Sequence, residues 1–252
     1  LIPSGFGELA SGLVGEGRMA EPSEIIDHII KDLSKDLPFK NKNILITAGP
    51  TYESIDPVRF IGNRSSGKMG VALALECANQ GAKVNLVLGP SHINITHPNI
   101  TLFRVESSEE MFRVVEDNFE ISDISIFSAA VSDYTPASFS KNKIKKSDNS
   151  CKISLVKTKD ILLEMSFKRT DKQFLVGFAL ETENELKNAE DKIKSKKLDM
   201  IVLNSLNDKR AGFNYNTNKI TIIDRNNNIS NFELKDKEEV AKDIINEIKK
   251  LS

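Results

Sequence analysis

Short apolar runs alternate along this chain with segments in which apolar residues recur at helical spacing. The first clear run, Asn43–Thr47, is rich in β-branched residues and predicts a buried strand. Strands that alternate with helices favour an α/β fold whose doubly wound, mostly parallel sheet carries helices on both faces. Further strands are predicted at Lys83–Leu88, Thr101–Val105, Asp123–Ala129, Lys152–Lys157, Gln173–Leu180, Met200–Leu203, Lys219–Ile223 and Ile229–Leu234, the last two forming an added antiparallel hairpin.

Helix starts are marked by capping boxes. Ser107–Glu110, Thr182–Glu185 and Asp236–Glu239 each place a capping side chain three residues before an acidic one, ahead of an apolar periodic segment. An apolar helical run from Met69 to Ala78 follows the first strand. The helix that starts at Thr182–Glu185 ends in several lysines, which are interpreted as solvated charges that suit a helix C-terminus. They are Lys192, Lys194, Lys196 and Lys197.

Residues 1–37 differ from the rest of the chain. Gly5–Ala20 is rich in glycine and poor in periodic apolar positions, Glu21–Ile30 predicts a short helix, and Asp32–Lys42 is a charged connector. We therefore expect residues 1–37 to be a tail or the end of a preceding domain, and residues 38–252 to form the main folded domain.

Composition excludes some classes of function but does not identify one. The chain has 252 residues, of which 39% are hydrophobic and 28% are charged, as in a soluble globular protein. Its net charge of −1 gives no case for nucleic-acid binding. No apolar run approaches membrane-spanning length and no signal peptide is visible, so a cytoplasmic protein is expected. Cys77 and Cys151 lack partners at metal-ligand spacing and are interpreted as reduced structural thiols.

The segment Thr47–Gly70 is the most informative part of the chain. It is a polar, glycine-containing loop that leaves a predicted strand and enters a predicted helix. In an open α/β sheet such a loop lies at the carboxyl end of the strand, where ligands bind. Ser65 and Ser66 add hydroxyl groups beside the backbone N–H groups at the helix start, which form a natural anion site. A phosphate-bearing ligand is the first hypothesis.

Three other motif matches carry less weight. Gly62–Met69 fits the P-loop pattern until Met69, where that pattern needs a Ser or Thr to hold Mg²⁺. Gly15–Ala20 resembles a dinucleotide fingerprint, but no strand precedes it. Tyr215–Lys219 has the Tyr-x-x-x-Lys spacing of some reductases, yet it lies in an Asn-rich loop. We interpret all three as coincidences of spacing.

Three later segments add candidate chemistry. Ser128–Pro136 follows a strand and carries Asp133, which could hold a ribose hydroxyl or a Mg²⁺ ion, or could be a turn aspartate. The basic run Lys141–Lys146 is either a solvated loop or a clamp on phosphates. Gly177–Thr182 combines a glycine that permits close backbone approach with Phe178, an aromatic residue more typical of a core.

Together these segments resemble the phosphopantothenoylcysteine synthetase family, the ligase half of the bifunctional bacterial coenzyme A biosynthesis protein. The resemblance runs from about Asn43 to the C-terminus and implies a Rossmann-like fold. Gly7–Pro22 resembles the end of the flavin-dependent decarboxylase half, with Ser11 where that family commonly has a catalytic cysteine. The segments that match the ligase are Thr47–Gly70, Ala129–Pro136, Lys143–Lys146, Gly177–Thr182, Asp199–Asn204 and Ala211–Phe213 with Asn218.

The resemblance implies a two-step ligation. CTP converts the carboxylate of 4′-phosphopantothenate into an acyl-cytidylate with release of pyrophosphate, and the amine of L-cysteine then displaces CMP. Lysines and Mg²⁺ would neutralise the triphosphate. The family works as a homodimer, and the alternating run Cys151–Lys157 could pair across a two-fold axis. No flavin is expected on this chain.

The same resemblance assigns roles to individual residues. Asn63 and Lys143 would be catalytic, Asn63 near the reacting acyl group and Lys143 on the phosphates. Asp133 would hold both the nucleotide and the metal ion. Arg59 and Asn204, with Asn63, would lie on the substrate side. The nucleotide site would comprise Ser65, Ser66, Gly67, Ala130, Asp133, Lys143, Gly177 and Phe178.

Two other functions stay open. A nicotinamide-dependent reductase would need a GxGxxG turn after the first strand, which this chain lacks. A non-catalytic nucleotide-binding module fits the fold, but it leaves Asn63, Asp133 and Lys143 unexplained as a set.

Overall fold

The computed structural model describes residues 1–33, 35–145, 152–181, 184–205 and 215–252, in two compact units, Leu1–Lys40 and Asn41–Ser252. The helices are α1 (Pro22–Leu33), α2 (Lys68–Asn79), α3 (Ser108–Phe119), α4 (Ile161–Lys168), α5 (Glu185–Ser195) and α6 (Lys237–Leu251). The strands are β1 (Gly5–Glu8), β2 (Val14–Arg18), β3 (Asn43–Ala48), β4 (Tyr52–Ser54), β5 (Phe60–Gly62), β6 (Lys83–Leu88), β7 (Ile100–Arg104), β8 (Ile124–Phe127), β9 (Tyr134–Pro136), β10 (Leu155–Lys157), β11 (Phe174–Glu181), β12 (Met200–Ser205), β13 (Thr217–Asn218), β14 (Ile220–Asp224), β15 (Ile229–Asn231) and β16 (Lys235–Asp236).

The first unit contains a hairpin and a helix. β1 and β2 pair antiparallel, and α1 confirms the helix predicted at Glu21–Ile30. The hairpin was not expected, because its glycine-rich strands carry no apolar alternation. Gly12 lies at its tip with φ +79°, a left-handed conformation that glycine adopts without strain.

The second unit is built on a large mixed sheet. Among the described residues the strand order is β15-β14-β12-β11-β8-β3-β6-β7. The strands from β12 to β7 pair in parallel, whereas β14 and β15 add antiparallel at one edge. The predicted α/β fold with a mostly parallel sheet and an added hairpin is therefore confirmed.

Helices cover both faces of the sheet. α2 packs against β3, β6 and α6, while α3, α4 and α5 belong to the opposite layer. Because side chains alternate along a strand, Leu45 of β3 joins the buried cluster with Met111 and Met165, and its neighbours Ile44 and Ile46 are buried on the other face. Cys77 of α2 is fully buried, and burial raises the pKa of its thiol, as expected of a structural cysteine. Cys151 lies outside the described residues.

Helix starts match the sequence less well than strands. Ser107 caps α3 as predicted, since its Oγ accepts from Glu110 N, but Glu110 accepts from the N–H of Glu106 rather than that of Ser107. Asp236 precedes α6 without a side-chain cap bond. α5 begins after Asn184, and Thr182 lies outside the described residues.

Several elements of the main unit were not predicted, among them the two-residue strands β13 and β16. The hairpin β4–β5 lies inside the loop Thr47–Gly70, β9 lies inside the predicted polar segment Ser128–Pro136, and α4 follows β10. Each is too short to show a hydrophobic period. No helix in the described ranges has both the length and the apolar character that crossing a bilayer requires.

Candidate functional site

The strand order creates a crevice at the carboxyl ends of the parallel strands, between β3 and β8. Numbered from β3 along the chain, the parallel strands lie in the order 3-2-1-4-5-6, so the chain leaves β3 and β8 toward opposite sides. Ligands of such sheets bind outside the carboxyl ends at this switch point. A cleft of about 840 Å³ opens there, lined by loops after β3 and β8, by the end of β11 and by the first residues of α4. The structure therefore places its cleft where the sequence predicted a ligand.

The start of α2 is brought tightly against the sheet. A Cβ on Gly70 would lie 2.4 Å from Ala48 Cβ and 2.6 Å from Ser128 Oγ, so only glycine fits this approach. Gly67 precedes the helix with φ +81° and has no side chain to cap it. Ser65 Oγ accepts a long bond of 3.4 Å from Gly67 N. The amino end of α2 is thus presented to a small pocket lined by Ser65, Ser66 and Gly67, as predicted for an anion site.

Asn63 joins the two loops of the crevice. Its Nδ2 donates to Ala130 O at 2.9 Å and to Val131 O at 3.2 Å, while Ala130 N donates to Gly49 O at 2.8 Å. The Asn63 amide nitrogen is therefore engaged with two backbone carbonyls of the facing loop. Asn63 and Ala130 line the cleft together.

The loop that carries Asp133 is fixed by a chain of hydrogen bonds. Ser132 N donates to Thr51 Oγ1 at 2.9 Å, Thr158 Oγ1 donates to Ser132 O at 2.6 Å, and Thr158 N donates to Asp133 O at 3.0 Å. The carboxylate of Asp133 is exposed on the cleft wall. A rigid backbone thus presents one solvated carboxylate to any ligand in the cleft.

The described residues contain no group of three or more His, Cys, Asp or Glu side chains placed to hold a metal ion. Asp133 therefore fits Mg²⁺ only in the manner of nucleotide sites, in which one or two carboxylates share the ion with phosphates and water.

Gly177 and Phe178, neighbours in β11, serve opposite faces of the sheet. Phe178 is half-buried and lines both the cleft and the small pocket at the start of α2. Gly177 is not among the cleft residues. A Cβ there would lie 2.7 Å from Leu198 Cδ1 and 3.1 Å from Leu162 Cδ2, so Gly177 leaves room for packing against α4 and the connection between α5 and β12. Asn204 lines both cavities, and its Oδ1 accepts from Asn218 Nδ2 at 3.0 Å.

Arg59 and Lys143 lie outside the lining of the 840 Å³ cleft. The guanidinium of Arg59 pairs with Asp56 and donates to Ile144 O at 2.9 Å. Lys143, the neighbour of Ile144, has an exposed side chain. The structure thus brings Asn63, Ala130, Asp133, Phe178 and Asn204 into one cleft. It ties Arg59 to Ile144, the neighbour of Lys143. Lys146 and Ala211–Phe213 lie outside the described residues.

Sequence reasoning missed several basic residues of the site. Lys196 is mostly buried, and its Nζ pairs with Asp160 Oδ2 at 2.7 Å, although the sequence suggested only a solvated helix end. Burial, and then repulsion from Lys68, lower the pKa of Lys237 to about 8; its Nζ donates to Tyr215 O beside the start of α2. Spacing alone gave no signal for them, because they come from distant segments. The lysines that line the cleft are Lys157, Lys159, Lys192 and Lys196.

Comparisons with known proteins match most of the chain. The sequence model of the DNA/pantothenate metabolism flavoprotein C-terminal domain matches residues 39–251. A coenzyme A biosynthesis bifunctional protein CoaBC from Haemophilus influenzae is 40% identical over 249 residues, covering 98% of this chain and 61% of that protein. A prokaryotic protein named cysteine/cysteine sulfinic acid decarboxylase is 51% identical over 252 residues, covering 98% of this chain and 70% of that protein.

A solved structure also agrees. The C-terminal domain of a CoaBC protein superposes with a TM-score of 0.72 at 37% identity, covering 85% of this chain and 97% of that domain. One prediction is corrected by these comparisons. The matched family model is a C-terminal domain that starts at residue 39 and assigns no decarboxylase to residues 1–37, so the predicted decarboxylase remnant is wrong. A short glycine-rich segment has too few distinctive side chains to identify a domain.

Proposed function

The chain belongs to the family of the DNA/pantothenate metabolism flavoprotein C-terminal domain, and from this premise we propose that it ligates 4′-phosphopantothenate to L-cysteine at the expense of CTP. The observation that carries the proposal is the convergence of Asn63, Asp133 and Phe178, from three distant segments, on one cleft at the switch point. The chain spans 61% of the length of the Haemophilus relative, so the activity is proposed for the part that is present.

The first step activates a carboxylate, which is otherwise a poor acyl donor. A carboxylate oxygen of 4′-phosphopantothenate attacks the α-phosphorus of CTP, the bond to the bridging oxygen breaks, and pyrophosphate leaves. Charge neutralisation on the leaving pyrophosphate is the main requirement. We assign it to Lys143 and to the start of α2, with Ser65, Ser66 and the N–H of Gly67. Asp133 would share Mg²⁺ with the nucleotide, and the ion would supply further neutralisation of phosphate charge.

The second step forms the amide. The amine of cysteine attacks the acyl carbon, the acyl–phosphate bond breaks, CMP leaves, and the amine loses a proton. Asn63 holds Ala130 and Val131 in place, so it fixes the loop against which the acyl group would react. Phe178 would lie against the nucleotide, Gly177 would act through its packing, and Asn204 and Arg59 would act on the substrate side.

CTP is proposed over ATP because the bifunctional bacterial proteins that this chain resembles are the CTP-using type. Backbone groups beside Ala130 and Phe178 would contact the base. No flavin is proposed for this chain. A purified protein with a stoichiometric flavin spectrum would contradict that part of the proposal.

A homodimer is proposed from an exposed apolar patch. The hairpins β4–β5 and β9–β10 are neighbours, and the described part of β10 pairs only with β9. Six exposed apolar side chains lie on these hairpins and the adjoining loop, where a monomer would leave them in water. They are Val58, Phe60, Tyr134, Phe139, Leu155 and Val156. Of the run Cys151–Lys157 that suggested pairing, residues 152–157 are described.

The test is pyrophosphate release with 4′-phosphopantothenate and Mg²⁺, with CTP or ATP, and with or without cysteine. With 4′-phosphopantothenate and CTP we expect pyrophosphate release before cysteine is present. Amide formation should follow only after cysteine is added. Equal turnover with low CTP and low ATP would contradict the nucleotide assignment. Release of CO₂ from cysteine or cysteine sulfinate without nucleotide would instead assign the activity named for the 51% identical relative.

A further inference from the structure

Asp56 is a buried carboxylate in the turn between β4 and β5. Its side chain has no solvent exposure. Oδ1 accepts from Val58 N at 2.9 Å and Arg59 N at 3.0 Å, and Oδ2 accepts from Arg59 Nε at 3.0 Å and from Ile144 N at 3.1 Å. A buried charge is tolerated only when it is paired and hydrogen-bonded in this way.

The partners of Asp56 come from two segments far apart in sequence. Arg59 belongs to the same hairpin, whereas Ile144 belongs to the loop that carries Lys143. Arg59 Nη2 donates to Ile144 O at 2.9 Å, so both backbone polar groups of Ile144 are held by the pair. A third bond, from Ser140 N to Ile55 O at 3.0 Å, ties the start of the same loop to the hairpin.

Asp56 and Arg59, through their bonds to Ile144, form an anchor for this loop one residue away from Lys143. If Ile144 left its place, a buried carboxylate would lose a donor, which is more costly than the loss of a solvent-exposed hydrogen bond. The anchor therefore resists displacement of the Lys143 backbone, while the Lys143 side chain stays exposed.

We propose that Asp56 is a positioning residue, which acts with Arg59 to hold Ile144 and thereby fixes Lys143 for the triphosphate. The inference rests on the proposed function, because it gives Lys143 a ligand to meet. It also gives Arg59 a role other than direct substrate contact, since its guanidinium is engaged with Asp56 and with the backbone of Ile144.

The first experiment is a double-mutant cycle on pyrophosphate release. Asp56→Asn preserves the size of the side chain and removes its charge. We expect a fall in kcat on the order of tenfold to a hundredfold, as misplacement of a catalytic group produces. In a Lys143→Ala background the same substitution should change kcat by less than about twofold, because the group to be positioned is gone. Equal losses in both backgrounds would overturn the proposal.

A matched control is Asp199→Asn. Asp199 is also buried, accepts from Leu175 N at 2.8 Å and pairs with Arg169 and Arg225, at the amino ends of β11 and β12, away from the cleft. We expect it to lower the stability of the fold while kcat keeps its full dependence on Lys143. If Asp199→Asn removed that dependence as well, general destabilisation would explain both results.

Hydrogen exchange tests the anchor without activity. The amide of Ile144 should exchange faster in Asp56→Asn than in the wild type or in Asp199→Asn. If the wild type releases no pyrophosphate, the proposed function fails, and exchange still decides the anchor: unchanged protection of Ile144 would overturn it. Should Asp56→Asn not fold, Arg59→Lys replaces it, because lysine keeps the charge but has a single nitrogen in place of the planar fork whose Nε bonds Asp56 while Nη2 bonds Ile144 O. We expect the same faster exchange in that variant, and unchanged protection would again overturn the anchor.

Discussion

At the scale of single residues, polar side chains in the loop after β3 have roles set by their partners. Asn63 donates to two carbonyls of the facing loop, and Asp56 accepts from backbone and guanidinium donors. The Arg59 guanidinium, with the N–H groups of Val58 and Ile144, holds the pKa of Asp56 well below its usual range despite burial. An amide and a carboxylate are therefore not interchangeable at either position.

Lys143→Ala should slow the first chemical step. Removing a charge that stabilises the leaving pyrophosphate should reduce its release roughly a hundredfold or more. Single-turnover measurements with labelled CTP report this directly. Lys172→Ala, which alters an exposed lysine before β11 at the opposite edge of the sheet, is the control and should leave the rate unchanged. A normal rate in Lys143→Ala would show that Lys143 is only a solvated loop charge.

Asn63→Asp should separate the two steps. A carboxylate cannot donate to Ala130 O and Val131 O and is repelled by both, so the loop that supports the acyl group should loosen. We expect pyrophosphate release to continue at a reduced rate while acyl-cytidylate accumulates and little amide forms. Rapid-quench analysis detects the trapped intermediate. Asn85→Asp in β6, which loses a bond from Asn85 Nδ2 to Asn118 Oδ1 of α3, should keep the normal partition, and loss of stability without an intermediate in Asn63→Asp would contradict the assignment.

Gly70→Ala should destabilise the fold. Helix propensity alone favours alanine by about 1 kcal/mol. The added Cβ, however, would meet Ala48 Cβ at 2.4 Å and Ser128 Oγ at 2.6 Å, and overpacking of this kind costs about 1–3 kcal/mol. We expect the steric term to dominate and urea denaturation to show a net loss. A gain in stability would mean that α2 moves easily away from β3.

At the scale of elements, helix caps contribute to the site unequally. Ser107 caps α3 and Asp160 caps α4, each accepting from the N–H three residues on. α4 begins on the wall of the cleft, whereas the described lining of the cleft contains no residue of α3. A cap on α4 can therefore influence both stability and binding.

Ser107→Ala and Asp160→Ala should each lower the free energy of unfolding by about 1 kcal/mol, as loss of a cap does. Asp160→Asn keeps the cap but frees Lys196 from its ion pair. It should leave stability nearly unchanged and tighten CTP binding by roughly two- to fivefold, in line with the modest strength of an ion pair whose carboxylate is exposed to solvent. Calorimetric titration measures the affinity. Weaker binding in Asp160→Asn would show that the carboxylate itself contacts the ligand.

At the scale of the whole molecule, the exposed apolar patch on the two hairpins predicts assembly. Val156→Glu places a charge in the patch and should convert a dimer into a monomer, as measured by light scattering at micromolar concentration. Ile229→Glu, on the exposed edge strand β15, is the control and should leave the dimer intact. A dimer broken only by Ile229→Glu would move the interface to the edge of the large sheet.

Strands were predicted from the sequence because burial on both faces requires continuous apolar runs, as in β3 and β6. The alternation of strand and helix then fixed the fold class. Shorter elements such as α4 and the hairpin β4–β5 escaped prediction, since a few residues cannot show a period and their conformation depends on contacts with other segments.

The candidate site, like the fold, was predicted from the sequence only in part. The sequence by itself determined that the loops holding Asn63 and Asp133 follow strands and that Phe178 lies near the end of one, and parallel strands bring such positions to one edge. Only the tertiary structure decided that Gly177 serves packing, that Lys157 and Lys196 line the cleft, and that Arg59 is tied to Asp56 and Ile144. Local patterns encode which face of an element is buried, whereas partners distant in sequence are selected by packing and charge compensation once the sheet has formed.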